Sequence, residues 1–125
     1  MTPIRRKPTD GELAILRVLW TSGPCTVRQV ADALGRDTGY TTALKLLQIM
    51  TEKGLVLRDE SDRTHIYRAA STEDQTQRQL VTDLLDRAFG GSAAKLVLQA
   101  LATTKASPKD LAEIKKLLEK QGEKK

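Results

Sequence analysis

The fold of this chain is set by residues 26–68, whose sequence is TVRQVADALGRDTGYTTALKLLQIMTEKGLVLRDESDRTHIYR. In the middle of this segment, apolar residues recur at the three- and four-residue spacing of one helix face, at Ala43, Leu46, Leu47 and Met50. This spacing predicts a helix over Tyr40–Lys53. Gly54 follows at the position where a helix end often adopts a left-handed conformation.

The hydrophobic pattern changes period after Gly54. Residues 55–58 (LVLR) and 64–68 (THIYR) are rich in β-forming side chains, and the polar residues 59–63 between them favour a turn. We therefore expect a β-hairpin directly after the helix, with His65 on its second strand.

Two further helices are predicted before residue 40. Thr9 and Glu12 have the spacing of a capping box, and Thr26 and Gln29 repeat it. The apolar stripe expected in the first helix is Leu13, Leu16, Val18, Leu19 and Trp20, and that of the second is Val27, Val30, Ala31 and Leu34.

Three helices followed by a hairpin have the order of a winged helix-turn-helix. In a helix-turn-helix, one helix enters the major groove of DNA while the helix before it crosses the backbone. The expected fold is therefore mostly α with a small β-hairpin, a winged helix-turn-helix followed by a helical dimerisation tail. We expect residues 1–70 to be a winged-helix DNA-binding domain and residues 71–125, here called the tail, to be a three-helix dimerisation region.

Three helices are predicted in the tail, over residues 72–89, over residues 92–102 and from Ser107-Pro108 onward, with a break at Gly90-Gly91. Their apolar side chains are too many for so short a segment to bury alone. We therefore expect a homodimer interface formed by Leu80, Leu84, Leu85, Phe89, Leu96, Val97, Leu101, Leu111, Ile114, Leu117 and Leu118.

Candidate DNA-binding residues lie on the outward side of the third helix and at the tip of the hairpin. The hydroxyl groups of Tyr40, Thr41 and Thr42 can reach a phosphate, and the two threonines can also meet base edges. Lys45 lies one turn further on and supplies a long cation. Arg63 is expected to lie along the backbone or in the minor groove.

Two alternatives remain open from these residues alone. In the first alternative, Thr41 and Thr42 only start the helix, and Lys45 and Arg63 are only solvated charges. Asp59, Glu60 and Asp62 also count against a hairpin that binds anions. A winged helix can also be a protein-interaction module without direct DNA binding. Leu44 and Ile49 on the third helix keep that alternative in view, because an exposed apolar patch would favour a protein partner.

Composition excludes several other classes of function. The chain has 125 residues and a net charge of +5, which suits a polyanionic partner without specifying one. Cys25 is the single cysteine and His65 the single histidine, so we expect no disulfide, no metal site, no catalytic residues and no cofactor. No apolar run of 18 residues occurs, and we therefore expect a cytoplasmic protein without membrane insertion.

The chain resembles the penicillinase repressor family of bacterial transcriptional repressors, the BlaI and MecI type with its copper-operon relatives. The resemblance runs from residue 9 to about residue 120. It is carried by the order and spacing of several short motifs: residues 9–13 (TDGEL), 19–20 (LW), 23–24 (GP), 26–31 (TVRQVA), 40–42 (YTT), 46–47 (LL), 52–56 (EKGLV), 66–68 (IYR) and 89–92 (FGGS).

The resemblance implies a homodimer that binds double-stranded, palindromic operator DNA, with the tail helices of the two subunits intertwined. It also implies a membrane sensor protease that inactivates the repressor by cutting the tail. The asparagine–phenylalanine pair at which the family is cut falls here on Gln99 and Ala100, and the tail lacks the cysteines of the copper-sensing relatives. The residues needed for cleavage and for copper sensing in the family are therefore not the ones present here. Release by a small molecule or a partner is the alternative to cleavage.

Overall fold

The first part of the structure contains three helices, α1 (Asp10–Ser22), α2 (Val27–Leu34) and α3 (Tyr40–Lys53). They are seen in a computed structural model that describes residues 7–35 and 37–123. The predicted bounds of α3 are confirmed. Its end at Gly54 has the expected left-handed conformation, with φ of +81°. The backbone N–H of Leu55 closes this end by donating to the Met50 carbonyl at 2.9 Å, which turns the chain directly toward the hairpin.

Both α1 and α2 begin with the capping box that the sequence predicts. The Glu12 N–H donates to Thr9 Oγ1 at 3.2 Å, and the Thr9 N–H donates back to Glu12 Oε1 at 2.9 Å. Thr26 and Gln29 repeat the arrangement at 3.1 and 2.9 Å. Each pair satisfies two backbone donors that a helix start would otherwise leave without partners.

The hairpin consists of β1 (Val56–Asp59) and β2 (Ile66–Ala69), paired antiparallel with Asp59 opposite Ile66. The hairpin is confirmed, but its strands begin one or two residues later than predicted. Leu55 belongs to the helix end instead, and residues 60–65 form the connecting loop. His65 lies in this loop, so its placement on a strand was wrong. We call β1, β2 and this loop the wing.

Tyr67 joins the wing to the corner between α1 and α2. Its N–H donates to the Cys25 carbonyl at 2.8 Å, and the Cys25 N–H donates to the Tyr67 carbonyl at 2.9 Å. Both side chains are buried, and burial raises the pKa of the Cys25 thiol. The wing is therefore fixed to the helices through its backbone as well as through packing.

The apolar core lies between the three helices and the wing. Its buried members are Ile15, Leu16, Leu19, Cys25, Val27, Val30, Ala31, Ala43, Leu47, Met50, Leu55, Val56 and Tyr67. Ile15 is fully buried although the predicted stripe of α1 omits it, because α1 packs against α2, α3 and β2 and so covers a broader face. Leu46, predicted to be buried, is half-buried at the margin of the core.

Glu12 brings a charge to the edge of this core. Its side chain is only 2% exposed, and Oε2 accepts a hydrogen bond from Lys53 Nζ at 2.8 Å. The ion pair connects the first turn of α1 with the last turn of α3. Burial by itself would raise the pKa of Glu12. The hydrogen bonds from Lys53 and from the Thr9 backbone, with the Lys53 charge, outweigh burial and hold that pKa below its ordinary value of 4.5.

We expect Glu12→Gln to lower the free energy of unfolding at pH 7 by about 1.5–3 kcal/mol, the range for hydrogen bonds to charged groups. A carboxyl whose pKa is lowered by folding stabilises the protein above its unfolded pKa and loses that effect as the pH falls through the folded pKa. The difference between the two proteins should therefore disappear as the pH falls below 4.5 and passes the lowered pKa. Urea unfolding at a series of pH values measures this.

Glu52→Gln is the matched control, because Glu52 is an exposed carboxylate one residue from Lys53. Its effect should stay within about 0.5 kcal/mol, as for ordinary surface substitutions. A stability difference for Glu12→Gln that is the same at pH 7 and pH 3 would contradict the assigned role of the charge.

The tail contains α4 (Glu73–Ala88), α5 (Ala93–Thr103) and α6 (Pro108–Glu123). These bounds confirm the three predicted helices. Gly90 and Gly91, with φ of +57° and +79°, form the predicted break between α4 and α5. None of the described helices has the length and apolar character needed to cross a membrane.

The chain divides into two compact units, Met1–Leu80 and Val81–Lys125. The first contains the winged fold and the first half of α4. There the Trp20 indole N–H donates to the Ser71 carbonyl at 2.9 Å, and Thr76 is buried. In the second unit, none of the residues described in α5 and α6 is buried within the single chain. A functional boundary after residue 70 stays a prediction.

Candidate nucleic-acid interface

The packing of α3 determines which of its side chains face solvent. Ala43, Leu47 and Met50 are fully buried on one side of the helix. The other side exposes Thr41, Thr42, Lys45 and Gln48, so it is polar and carries a cation. An α-helix fits the major groove of B-form DNA, where hydroxyl, amide and ammonium groups can bond to base edges and phosphates.

A groove of about 320 Å³ lies beside the start of α3, between α2 and the wing. It brings together Tyr40 and Arg63, which are far apart in sequence and were both predicted to contact DNA. Arg28 of α2 and His65 of the wing also line this groove. Thr41, Thr42 and Lys45 are exposed on α3 but do not line it.

Arg28 is a candidate that the sequence did not single out. Its guanidinium carbon lies 5.2 Å from the centroid of the Tyr40 ring, a cation–π arrangement that links α2 with α3. The apolar stripe of α2 indicated only that Arg28 faces outward. Nothing in the local sequence showed that Tyr40, from another helix, would lie beneath it.

The wing engages two of its carboxylates internally. Arg58 Nε donates to Glu60 Oε2 at 2.6 Å, and the Ser61 N–H donates to Asp59 Oδ1 at 2.9 Å. Hydrogen bonds from the Ser61 backbone and side chain lower the pKa of Asp59. Of the acidic residues that counted against an anion-binding wing, Glu60 is paired with a cation, whereas Asp59 keeps its charge. Arg63 is exposed on the same loop.

Comparison with known proteins identifies the family. The sequence model of the penicillinase repressor family matches residues 8–120. The chain belongs to the penicillinase repressor family. It is also 40% identical over 92 residues to the transcriptional regulator BlaI of Mycobacterium tuberculosis, which covers 71% of this chain and 67% of that relative. As a member of this family the protein is a transcriptional regulator and not an enzyme, as the sequence predicted.

Solved structures show the same fold. A MarR family protein from Bacillus stearothermophilus is similar over 92% of this repressor-family chain and 73% of its own, with a TM-score of 0.50 and 16% identity. The homodimeric winged helix-turn-helix DNA-binding domain of Mb0332 from Mycobacterium bovis is 31% identical, with a TM-score of 0.48, over 61% of this chain and 70% of its own. The order of α1, α2, α3 and the antiparallel hairpin confirms the winged helix-turn-helix prediction.

The two apolar residues that favoured a protein partner for this repressor-family protein lie at the margin of the exposed α3 surface. Leu44 and Ile49 are half-buried, and Leu44 packs against the core. The outward side of α3 therefore presents hydroxyl, amide and ammonium groups without a large apolar patch. This observation favours a nucleic acid over a protein as its partner.

The tail of this repressor-family protein exposes many of the side chains predicted to form a dimer interface. Leu84, Val97, Leu101, Leu111 and Leu117 are between 39% and 57% exposed, and Leu118 is 61% exposed. Leu98, which was not among the predicted residues, is 65% exposed. The other predicted interface residues, Leu80, Leu85, Phe89, Leu96 and Ile114, are half-buried. Gln99 and Ala100 lie within α5, and both are exposed.

Proposed function

We propose that this protein is a homodimeric repressor that binds palindromic operator DNA in the cytoplasm, with residues 1–70 binding DNA and residues 71–125 forming the dimer. The observation that carries the proposal is the outward side of α3. The buried apolar residues of α3 lie on its opposite side, which leaves Thr41, Thr42 and Lys45 exposed together. Membership of a family of transcriptional regulators supports the same conclusion.

In this proposal α3 enters the major groove of one half-site. Thr41 and Thr42 contact a phosphate or a thymine methyl from the first turn, and Lys45 reaches a base edge or a phosphate from the second. Arg63 on the wing contacts the backbone or the minor groove and adds affinity without choosing the sequence. A two-fold operator requires a two-fold protein, with half-sites about 34–36 Å apart or a multiple of that distance.

The test of this function is Lys45→Ala. Using the DNA upstream of the protein's own gene as the probe, we expect the variant to bind about 1–3 kcal/mol more weakly if Lys45 reads a base. In that case the affinity of the variant for a scrambled duplex should fall much less. If Lys45 contacts only phosphate, both duplexes should lose affinity equally. Titrations followed by fluorescence anisotropy at several salt concentrations separate these two results.

Lys95→Ala is the matched control, because Lys95 is an exposed lysine on α5 and not on α3. It should leave operator affinity unchanged. Wild-type protein that forms no salt-sensitive complex with this upstream DNA at low ionic strength would contradict the proposed function.

Release from the operator forms the last part of the proposal. A dimer bound to two half-sites loses most of its affinity when the subunits separate, so damage to the tail is enough to relieve repression. A membrane sensor protease that cuts at Gln99–Ala100 would remove α6 and the end of α5. The exposure of both residues supports access to this position. Both lie within a helix, so cleavage requires α5 to unwind locally.

A further inference from the structure

The groove between α2, the start of α3 and the wing has an unusual electrostatic composition. Arg28, Arg63 and His65 line it from α2 and from the wing, and none of the described residues lining it is an aspartate or glutamate. Neither arginine forms an ion pair with any described carboxylate. Two arginines therefore line the same groove without an ion-pair partner in the described chain.

The Tyr40 ring holds the Arg28 guanidinium in place on one side of this groove. The 5.2 Å separation is within cation–π range, and the contact restricts a long side chain that would otherwise sample many rotamers. A guanidinium ordered in this way loses less entropy when it bonds to an anion. Its planar fork also suits two oxygens of one phosphate.

The position of the groove identifies the anion. Its lining includes both Tyr40, the first residue of the helix proposed to enter the major groove, and Arg63 on the wing. A DNA strand bordering the major groove at α3 would run past both residues. The lining also includes the apolar residues Val27 and Leu44, against which a deoxyribose can pack.

We infer that this groove binds the sugar–phosphate backbone of the operator, and that Arg28 is a phosphate-binding residue positioned by Tyr40. The inference rests on the proposed function and extends it to α2 and to a contact that gives affinity without sequence preference. Phosphate contacts of this kind set the orientation of a reading helix, whereas base contacts carry the specificity.

The test is the salt dependence of DNA binding by Arg28→Ala. Loss of one phosphate contact should reduce the slope of log affinity against log salt by about 0.9. Affinity at low salt should fall about five- to tenfold, by the same factor on the upstream DNA and on a scrambled duplex. Arg28→Lys keeps the charge and should restore the slope, with only part of the affinity. A general structural defect would not be repaired in this way.

Two further variants complete the experiment. Arg17→Ala is the matched control, because Arg17 is an exposed arginine of α1 that lines a different groove, beside Leu34. It should leave slope and affinity unchanged. Tyr40→Leu should weaken DNA binding more when it is made in the wild-type protein than when it is added to the Arg28→Ala variant. The reason is that the Tyr40 ring acts partly by positioning the Arg28 guanidinium. Equal effects in both backgrounds would show that Tyr40 does not position Arg28.

The possible failures can be told apart. A wild-type protein that does not bind the upstream DNA overturns the proposed function and the inference with it. A wild type that binds with a steep salt dependence, together with an Arg28→Ala variant of the same slope, overturns the inference alone. An affinity loss confined to the upstream DNA would also overturn it, because Arg28 would then be reading bases.

Discussion

Leu84→Asp is expected to convert the protein into a monomer and to weaken operator binding by about 10²–10⁴-fold, the usual gain from joining two binding modules. Leu84 is 47% exposed in the single chain and is one of the apolar side chains predicted to form the dimer interface. A carboxylate placed in a subunit interface has to lose its water without gaining a partner, which opposes association. Sedimentation at micromolar concentration measures the subunit state, and anisotropy titration measures the DNA affinity.

Gln79→Asp provides the control for this substitution. Gln79 is an exposed polar residue of the same helix, about 140° around its axis from Leu84 at 100° per residue. It should leave both the dimer and the operator affinity intact. A Leu84→Asp protein that still sediments as a dimer would remove Leu84 from the interface, and a monomeric wild type would contradict the dimer altogether.

A chain that ends at Gln99 is expected to lose most of its dimerisation and to bind the operator with an affinity close to that of a single winged helix. The shortened chain lacks α6 and the last turn of α5, and with them the exposed apolar side chains of Leu101, Leu111 and Leu117. It keeps all of the residues proposed to touch DNA. Its affinity should therefore fall through loss of bivalent binding, on the same scale of about 10²–10⁴-fold.

A chain that ends at Lys120 is the matched control, since it removes five residues from the end and retains most of α6. This control should dimerise and bind as the full chain does. If the chain that ends at Gln99 also does so, the tail beyond Gln99 cannot be the switch that releases the operator. In that case, a small molecule or a partner that binds elsewhere on the protein would have to release it from the operator.

Much of the fold could be predicted because its signals are local. A capping box needs two residues three positions apart, so Thr9 with Glu12 and Thr26 with Gln29 marked the starts of α1 and α2. Glycine at position 54 marked the end of α3 for an equally local reason, because a left-handed helix end strongly favours a residue without a side chain. The bounds of α3 followed from this helix-end signal and from the spacing of its apolar residues.

The ends of the strands were less accurate because strand pairing depends on a partner. The residues after Leu55 favour a β-strand, so Leu55 was predicted to belong to it. Its N–H instead donates to the end of α3, and strand pairing starts at the next residue. His65 lies beyond the last paired residues, Asp59 and Ile66, and so belongs to the loop. Only the register of the assembled hairpin decides such positions.

The sequence by itself determined the order of the elements, the polar outward side of α3 and the candidates Thr41, Thr42 and Lys45, because these depend on helical periodicity. The tertiary structure alone decided that Glu12, 41 residues from Lys53, is a buried partner of that lysine as well as a cap. It also decided that Arg28 lies over Tyr40 and shares a groove with Arg63. The physical reason is that these contacts join elements whose distance in space is set by how the core packs, and no periodicity within one element contains that information.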